Sequence, residues 1–182
     1  MPAVVAEGHH MLKAAGFAAA LALAAPLCAH AQAKPTDPQI AHIAYTAGEL
    51  DIAAAKQALA KSKSKVVREF AQEMVRDHTS VNQQASTLVK KLGVTPQDNP
   101  TSQSLSKDAA AKRQAYVRLS GPAFDRAYLQ NEVAYHKTVN AALDSTLIPN
   151  ARNGELKSLL QTGLKLFTEH QHHAEQLAGQ LH

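Results

Sequence analysis

The sequence predicts an all-α protein, an antiparallel four-helix bundle with one additional short helix. Three long segments place apolar residues at alternating spacings of three and four, the period of a helix that buries one face. Glycine and proline fall mostly at the breaks between segments, and helix-favouring residues fill the segments themselves. Several long helices with one apolar face each must pack against one another, which favours a bundle.

The N-terminal region has the layout of a secretory signal peptide. Residues 14–33 read AAGFAAALALAAPLCAHAQA and directly follow Lys13. This apolar run ends in two small-x-small cleavage sites, after Ala31 and after Ala33. It is too short and too alanine-rich to predict a membrane span, so we expect no stable membrane insertion once it is removed.

We therefore expect residues 1–33 to be removed during export to the bacterial periplasm, and residues 34–182 to form one helical-bundle domain. Cys28 is the single cysteine, and it lies in the segment that is removed. Leu27 precedes it, where a lipoprotein signal carries a small residue. The mature chain then has no thiol, which excludes disulfides, thiolate catalysis and cysteine zinc sites.

The mild positive charge does not indicate a nucleic-acid partner. The formal net charge of +4 is spread along the chain. The longest basic cluster, residues 61–65, falls at a predicted turn between helices and has few aromatic residues near it. We interpret it as a solvated connection, because nucleic-acid surfaces combine basic patches with aromatic side chains.

Capping and turn signals divide the mature chain into four long helices and a short one. The predicted helices cover residues 38–61, 65–92, 105–118, 122–147 and 154–181. Asp37 and Pro38 predict a helix cap followed by a first-turn proline. The polar, turn-rich residues 94–104 predict a loop.

Three histidines occupy positions where the helical pattern expects Leu or Val. They are His78, His136 and His170, and each lies near the middle of its predicted helix. Helix midpoints meet at one level in an antiparallel bundle, so these side chains are expected in one layer. Glu49 lies near the middle of the first helix and flanks its apolar face. The pattern thus predicts three imidazoles and one carboxylate in the same layer.

Such a layer is costly in an apolar core unless its groups are paired or coordinated. A divalent metal ion is one solution, and three histidines with a carboxylate suit zinc, iron, manganese, cobalt or copper. Asp77, Glu132 and Glu169 lie close in sequence to these histidines and are alternative ligands or orienting groups. The other solution is a hydrogen-bonded polar layer that fixes helix register without metal.

Other chemistries find little support. No glycine-rich phosphate loop and no nucleophile elbow is present, and no catalytic residue is assigned. A ferritin-type di-iron centre needs Glu three residues before His, whereas Val75, Val133 and Phe167 stand at those positions. The pattern therefore favours a mononuclear site over a dinuclear one.

The tail of the last helix carries a second histidine group. Residues 169–173 read EHQHH, and Glu169 and His173 share a face because they are four residues apart. We interpret this group as a solvated polar face; a surface metal-binding patch is the alternative.

Four segments of the chain resemble the DUF4142 family. They are GEL (48–50), VREFAQEMVRDHTSVN (67–82), SGPAFDRAYLQNEVAYH (120–136) and ELKSLLQTGLKLFTEH (155–170). The resemblance implies an exported bacterial protein with a ferritin-like helical bundle. It also implies that the family's characteristic Glu, Asp-His, His and His correspond to Glu49, Asp77-His78, His136 and His170. The family name leaves the activity open.

The function expected is that of a periplasmic bundle that binds a divalent metal ion, in metal handling or envelope stress. The first alternative is a structural or interaction protein with a metal-free polar layer. The second is a metal-dependent oxidoreductase that uses the same layer.

Export predicts a defined N-terminus for the mature protein. Cleavage after either small-x-small site should leave a chain that begins at Gln32 or at Lys34. Intact-mass spectrometry of protein from a periplasmic extract checks this. A membrane-bound chain that retains residues 14–33 would contradict it.

Overall fold

The structure is a computed structural model that describes residues 34–181, and within this range it contains helices and turns but no strand. The helices are α1 (Asp37–Lys61), α2 (Lys65–Lys91), α3 (Pro100–Tyr116), α4 (Gly121–Ala142), α5 (Ile148–Asn150) and α6 (Gly154–Gln180). A π-helical segment, Leu143–Leu147, connects α4 to α5. The all-α prediction is confirmed. The predicted signal peptide and Cys28 lie outside the described residues.

Between residues 34 and 181, no helix is both long enough and apolar enough to cross a membrane.

The start of α1 differs from the predicted cap. Thr36, not Asp37, is the N-cap residue, and its backbone N–H donates to the side chain of Gln39 at 3.0 Å. The Asp37 carboxylate instead accepts hydrogen bonds from the backbone N–H groups of Arg152 and Asn153, at 2.8 and 2.9 Å. Asp37 therefore joins the start of α1 to the turn before α6, a contact that local sequence does not predict.

The short helix begins five residues earlier than predicted. The predicted loop 94–104 includes Asn99 and Pro100, whose turn-forming character is also that of a helix start. The Asn99 side chain accepts from the backbone N–H groups of Thr101 and Ser102, both at 3.1 Å, and Pro100 occupies the first turn. The loop prediction is wrong for residues 100–104, because asparagine followed by proline favours a helix start as well as a turn.

The end of the fourth predicted helix is irregular. Pro149 has no N–H, so it cannot donate to the carbonyl four residues earlier. Before this proline the chain widens into the π-helical segment, where the Ile148 N–H donates to the carbonyl of Leu143. The helical chain ends at Asn150, and Ala151 is extended.

Two apolar clusters form the core. The Phe70 cluster contains Ala55, Ala58, Val67, Phe70, Ala71, Met74, Tyr116, Phe124, Tyr128, Leu129, Ala174 and Leu177. The Phe167 cluster contains Ile40, Ala41, Ile43, Leu143, Leu147, Ala151, Leu156, Leu160 and Phe167, and partly buried α2 residues such as Val81 and Leu88 pack against it.

Each long helix contributes to both clusters, in a definite order. Along α1 and α6 the Phe167 cluster comes first, whereas along α2 and α4 the Phe70 cluster comes first. In each helix a buried polar residue lies between the residues of the two clusters. These residues are Asp51 in α1, His78 in α2, His136 in α4 and His170 in α6. A polar layer therefore separates the two clusters.

The helices pack in a closed order around this layer. α1 packs against α2, α2 against α6, α6 against α4, and α4 against α1. α3 lies along α1: the Gln97 N–H donates to the carbonyl of Pro38 near the start of α1, and Lys61 Nζ donates to the carbonyl of Val117 near its end. α3 therefore runs in the same direction as α1 and returns the chain from the end of α2.

A close contact between α1 and α2 depends on Gly48. A Cβ atom at this position would lie 2.3 Å from Oδ1 and 2.9 Å from Cγ of Asn82. The Asn82 side chain is buried and donates hydrogen bonds to the Tyr45 carbonyl at 3.3 Å and to Glu49 Oε1 at 2.9 Å. Any larger residue at position 48 must displace this amide.

Gly48→Ala should therefore destabilise the protein. Loss of the two hydrogen bonds of Asn82 costs about 1 kcal/mol each, and the better helix propensity of alanine offsets up to about 1 kcal/mol. With the strain of the displaced side chain included, we expect the free energy of unfolding, measured in urea, to fall by about 1–2 kcal/mol.

Two further variants isolate the cause. Gly179→Ala is the matched control, since nothing lies within 4 Å of its added Cβ. In an Asn82→Ala background, Gly48→Ala should become neutral or stabilising, because the amide it displaces is gone. Equal losses in both backgrounds would contradict the explanation.

Candidate metal centre

The structure brings the three predicted histidines together in the core. His78 of α2, His136 of α4 and His170 of α6 have exposed fractions of 3%, 1% and 1%. Their ring centroids are 5.7 Å apart for His78 and His136, 5.4 Å for His78 and His170, and 5.5 Å for His136 and His170. One nitrogen of each ring lies within 4.8 Å of the other two.

The carboxylate of this layer belongs to Asp51, not to Glu49. Asp51 is 1% exposed, and its Oδ2 lies 3.2 Å from Nε2 of His78 and 3.4 Å from Nε2 of His136. Glu49 is exposed, and its carboxylate accepts the hydrogen bond of Asn82. The structure therefore corrects the expectation that Glu49 shares the layer with the histidines.

The geometry of α1 explains this difference. Residues two apart in a helix differ by about 200° around its axis, so Glu49 and Asp51 point to nearly opposite sides. The alanine-rich α1 has apolar residues around much of its circumference, and its buried side is that of Ile40, Ala47 and Ala55. No strong periodicity distinguishes the two faces from sequence.

Hydrogen bonds on their outer sides orient two of the histidines. Nδ1 of His136 donates to the Glu132 carbonyl at 3.0 Å, and Nε2 of His170 donates to Asp77 Oδ2 at 3.1 Å. A neutral imidazole that donates from one nitrogen has its lone pair on the other. Nε2 of His136 and Nδ1 of His170 are buried and have no protein hydrogen-bond partner.

The third histidine is held by stacking. The rings of His78 and Phe167 are nearly parallel, with centroids 4.5 Å apart. Neither nitrogen of His78 has a hydrogen-bond partner within the described residues, although Nε2 approaches Asp51. Either nitrogen of His78 is therefore free to act as a ligand.

The three alternative ligands have different positions. Glu132 is 1% exposed, and its Oε2 lies 3.7 Å from Nδ1 of His136 without a hydrogen-bond partner. Asp77 is half-buried and orients His170, as described above. Glu169 is exposed and belongs to none of the metal-compatible groups found within the described range. Glu132 lies one turn before His136, which is the sequence signal for their shared face.

The two buried carboxyl groups have opposite ionisation tendencies. Burial raises the pKa of Asp51, but the adjacent imidazoles of His78 and His136 outweigh it and hold the pKa below its ordinary value. Burial, and then the negative charge of Asp51, raise the pKa of Glu132 well above its ordinary value. Asp51 is therefore the charged group of the layer and Glu132 the protonated one.

The oriented imidazoles are neutral near pH 7. Burial lowers the pKa of His136 to about 4, despite the opposing effect of Asp51. Burial also lowers the pKa of His170, and the field of His78 adds to this. Neutral imidazoles are the form that binds metal ions.

This donor set is suited to a cation. Lone pairs of two oriented imidazoles, a third imidazole and a charged carboxylate converge in the layer. A water molecule could donate hydrogen bonds to only two of these four groups, whereas a cation can bind all four. A tetrahedral ion with bonds of about 2.0–2.1 Å needs its ligand atoms about 3.3 Å apart. The three nitrogen atoms lie within 4.8 Å of one another, so small side-chain adjustments would bring them to this separation. The imidazole N–H groups donate to the Glu132 carbonyl and to Asp77, as metal-binding histidines donate to groups behind them.

The fold and this cluster define an all-helical protein with a buried histidine and carboxylate centre. The chain matches the family model described as "Domain of unknown function (DUF4142)" over residues 22–177, and it belongs to this family. The family predicted from the sequence is thereby confirmed. Searches of curated proteins and of solved structures found no match.

The raised pKa of Glu132 predicts a pH-dependent stability. The folded protein keeps this proton above the ordinary value of 4.5, where the unfolded chain releases it. The group therefore binds more protons in the folded state, and its contribution to stability is lost as pH rises from 4.5 through the folded pKa.

Glu132→Gln mimics the protonated form at every pH. The stability of this variant relative to wild type should increase as pH rises above 4.5, by up to about 1.4 kcal/mol per pH unit. Urea unfolding of EDTA-treated proteins between pH 4 and pH 8 measures the difference. A difference that does not change with pH would show that Glu132 is ionised in the folded protein.

Proposed function

We propose that this protein is an exported periplasmic metal-binding protein, in which His78, His136, His170 and Asp51 hold one divalent ion in the polar layer. The single observation that carries the proposal is the convergence of one nitrogen from each of three buried imidazoles to within 4.8 Å. The export part rests on the N-terminal sequence pattern.

The energetic argument supports an ion over a merely polar layer. Each buried polar group without a partner costs about 1–3 kcal/mol, and a whole domain is stable by only about 5–15 kcal/mol. The layer contains several such atoms, including both oxygens of Asp51 and one nitrogen each of His136 and His170. One cation can partner four of them and balance the charge of Asp51.

We also propose a ferritin-like arrangement for the four long helices. The order in which the helices meet the two apolar clusters supports it: α1 and α6 would run one way, and α2 and α4 the other. α3 runs alongside α1 and would serve as the crossover between α2 and α4. All four long helices then supply one residue each to the metal site.

The burial of the ligands suggests the kind of role. All four candidate ligands are at most 3% exposed, so a bound ion would be sequestered and out of reach of large substrates. This favours a protein that retains a metal ion, with a role in metal handling or envelope stress, over an enzyme that acts on a large substrate. Zinc, iron, manganese, cobalt and copper are all compatible with three nitrogens and one carboxylate oxygen.

Metal titration tests the proposal. Protein prepared without a histidine tag and stripped with EDTA should bind one equivalent of Zn²⁺ in calorimetry. At 100 times the Kd, binding should stabilise the fold by about 2.7 kcal/mol, seen as a higher Tm. His136→Ala and Asp51→Asn should each weaken binding by more than the about 10–100-fold typical of losing an outer-shell partner.

Glu49→Gln is the matched control, because it removes an exposed carboxylate two residues from Asp51 on the same helix. Its Zn²⁺ affinity should equal that of wild type. If wild type binds none of the candidate ions, the proposal is wrong.

A metal-free polar layer is the second candidate function, and the 3.2 Å contact between Asp51 Oδ2 and His78 Nε2 favours it. In that case His136→Leu should be neutral or stabilising, because an apolar side chain would replace a buried polar one. The same titration separates the two candidates.

A further inference from the structure

A second group of metal-ligating side chains lies directly outside the buried site. It consists of Glu73 and Asp77 on α2 and His170 and His173 on α6, and we call it the outer cluster. One ligand atom each of Glu73, Asp77 and His170 lies within 4.8 Å of the other two. Nδ1 of His173 lies 2.8 Å from Glu73 Oε2.

The outer cluster extends from solvent into the core. The side chains of His173, Glu73 and Asp77 are 42%, 30% and 17% exposed, whereas that of His170 is 1% exposed. Two carboxylates one turn apart on α2 thus face two imidazoles about one turn apart on α6. The mixture of imidazole and carboxylate ligands suits a divalent transition metal.

We propose that the outer cluster is a second, solvent-facing divalent-cation site from which ions pass to the buried site. His170 is common to both, with Nε2 directed at Asp77 and the free Nδ1 in the buried layer. The existence of the outer site stands on its own geometry, whereas the passage of ions rests on the proposed function.

The shared imidazole prevents both sites from using His170 at once. A neutral imidazole has one lone pair, so binding through Nε2 requires the proton on Nδ1, and binding through Nδ1 requires it on Nε2. An ion that moves inward therefore leaves Nε2, which takes up one proton, while Nδ1 loses one, so that the number of protons on the ring is unchanged. After transfer, His170 donates to Asp77 again, which is the arrangement seen in the structure.

Arg76 opposes occupation of the outer site. Its guanidinium pairs with both oxygens of Asp77, at 2.7 and 3.1 Å, and its side chain is 69% exposed. A cation must displace this pair, and the exposed arginine can move into solvent. Arg76→Gln should therefore strengthen the outer site while leaving the buried one unchanged.

Stopped-flow loading with Co²⁺, whose visible absorption reports its ligands, tests the proposal on the full mature chain. Wild type should show a fast, concentration-dependent phase followed by a slower one. In the double variant Glu73→Gln/His173→Gln the fast phase should vanish, and loading should slow at least about 10-fold, the low end of the rate gain from charged binding surfaces. Equilibrium affinity at the buried site should stay that of wild type.

The matched control is Glu175→Gln/His172→Gln, which removes the same residue types from positions on α6 that do not belong to the outer cluster. It should load at the wild-type rate. His136→Ala should lose the slow phase and keep the fast one, and Arg76→Gln should enlarge the fast phase. Circular dichroism confirms that each variant is folded.

The outcomes separate this inference from the proposed function. Wild-type loading kinetics in Glu73→Gln/His173→Gln would overturn the outer site while the buried site stands. A fast phase that is present in wild type and lost in Glu73→Gln/His173→Gln, with no slow phase in wild type, would support the outer site and contradict the buried one. No Co²⁺ uptake by wild type would overturn both.

Discussion

The structure depends on the burial of a charged carboxylate, Asp51, among imidazoles in the middle of an apolar core. A carboxylate in such surroundings is tolerated only beside groups that compensate its charge. His78 and His136 both lie within 3.4 Å of one of its oxygens. Since Asp51, His78 and His136 belong to three different helices, this compensation fixes their axial register as well as their proximity.

The surroundings of this layer limit how it can be satisfied. The Phe70 cluster lies on one side and the Phe167 cluster on the other, and Phe167 itself stacks on His78. Tyr135 of α4 donates its hydroxyl to the carbonyl of Ala47 and so is not a donor to Asp51. Neither oxygen of Asp51 has a hydrogen-bond partner within the described residues, so its charge is compensated by the imidazoles or by a bound cation. Protonation of His136 is opposed by burial, which lowers its pKa to about 4.

His170 gives the layer its connection to the surface. Its ring is buried, but its outer nitrogen donates to Asp77, which in turn pairs with the exposed Arg76. A chain of polar contacts thus leads from solvent to the centre of the core through one side chain. The same arrangement explains how Asp77 orients a buried ligand and also belongs to an outer group of potential ligands.

Sequence by itself determined the helical class, the family and the three histidines. The period of apolar residues along α6 matches its buried face from Leu156 to Leu177, because a strongly amphipathic helix has only one side to bury. Histidines within such a stripe must point inward, and their mid-helix positions bring them to one level.

Tertiary structure alone decided the carboxylate and the outer contacts. In α1 apolar residues surround both Glu49 and Asp51, so the buried side depends on which neighbours the helix meets. The same holds for Glu132, which is buried whereas its neighbour Val133 is only partly buried, on a helix that packs against both α1 and α6. Which carboxylate faces the histidines is a property of helix rotation, and rotation is set by packing between helices and not by local sequence.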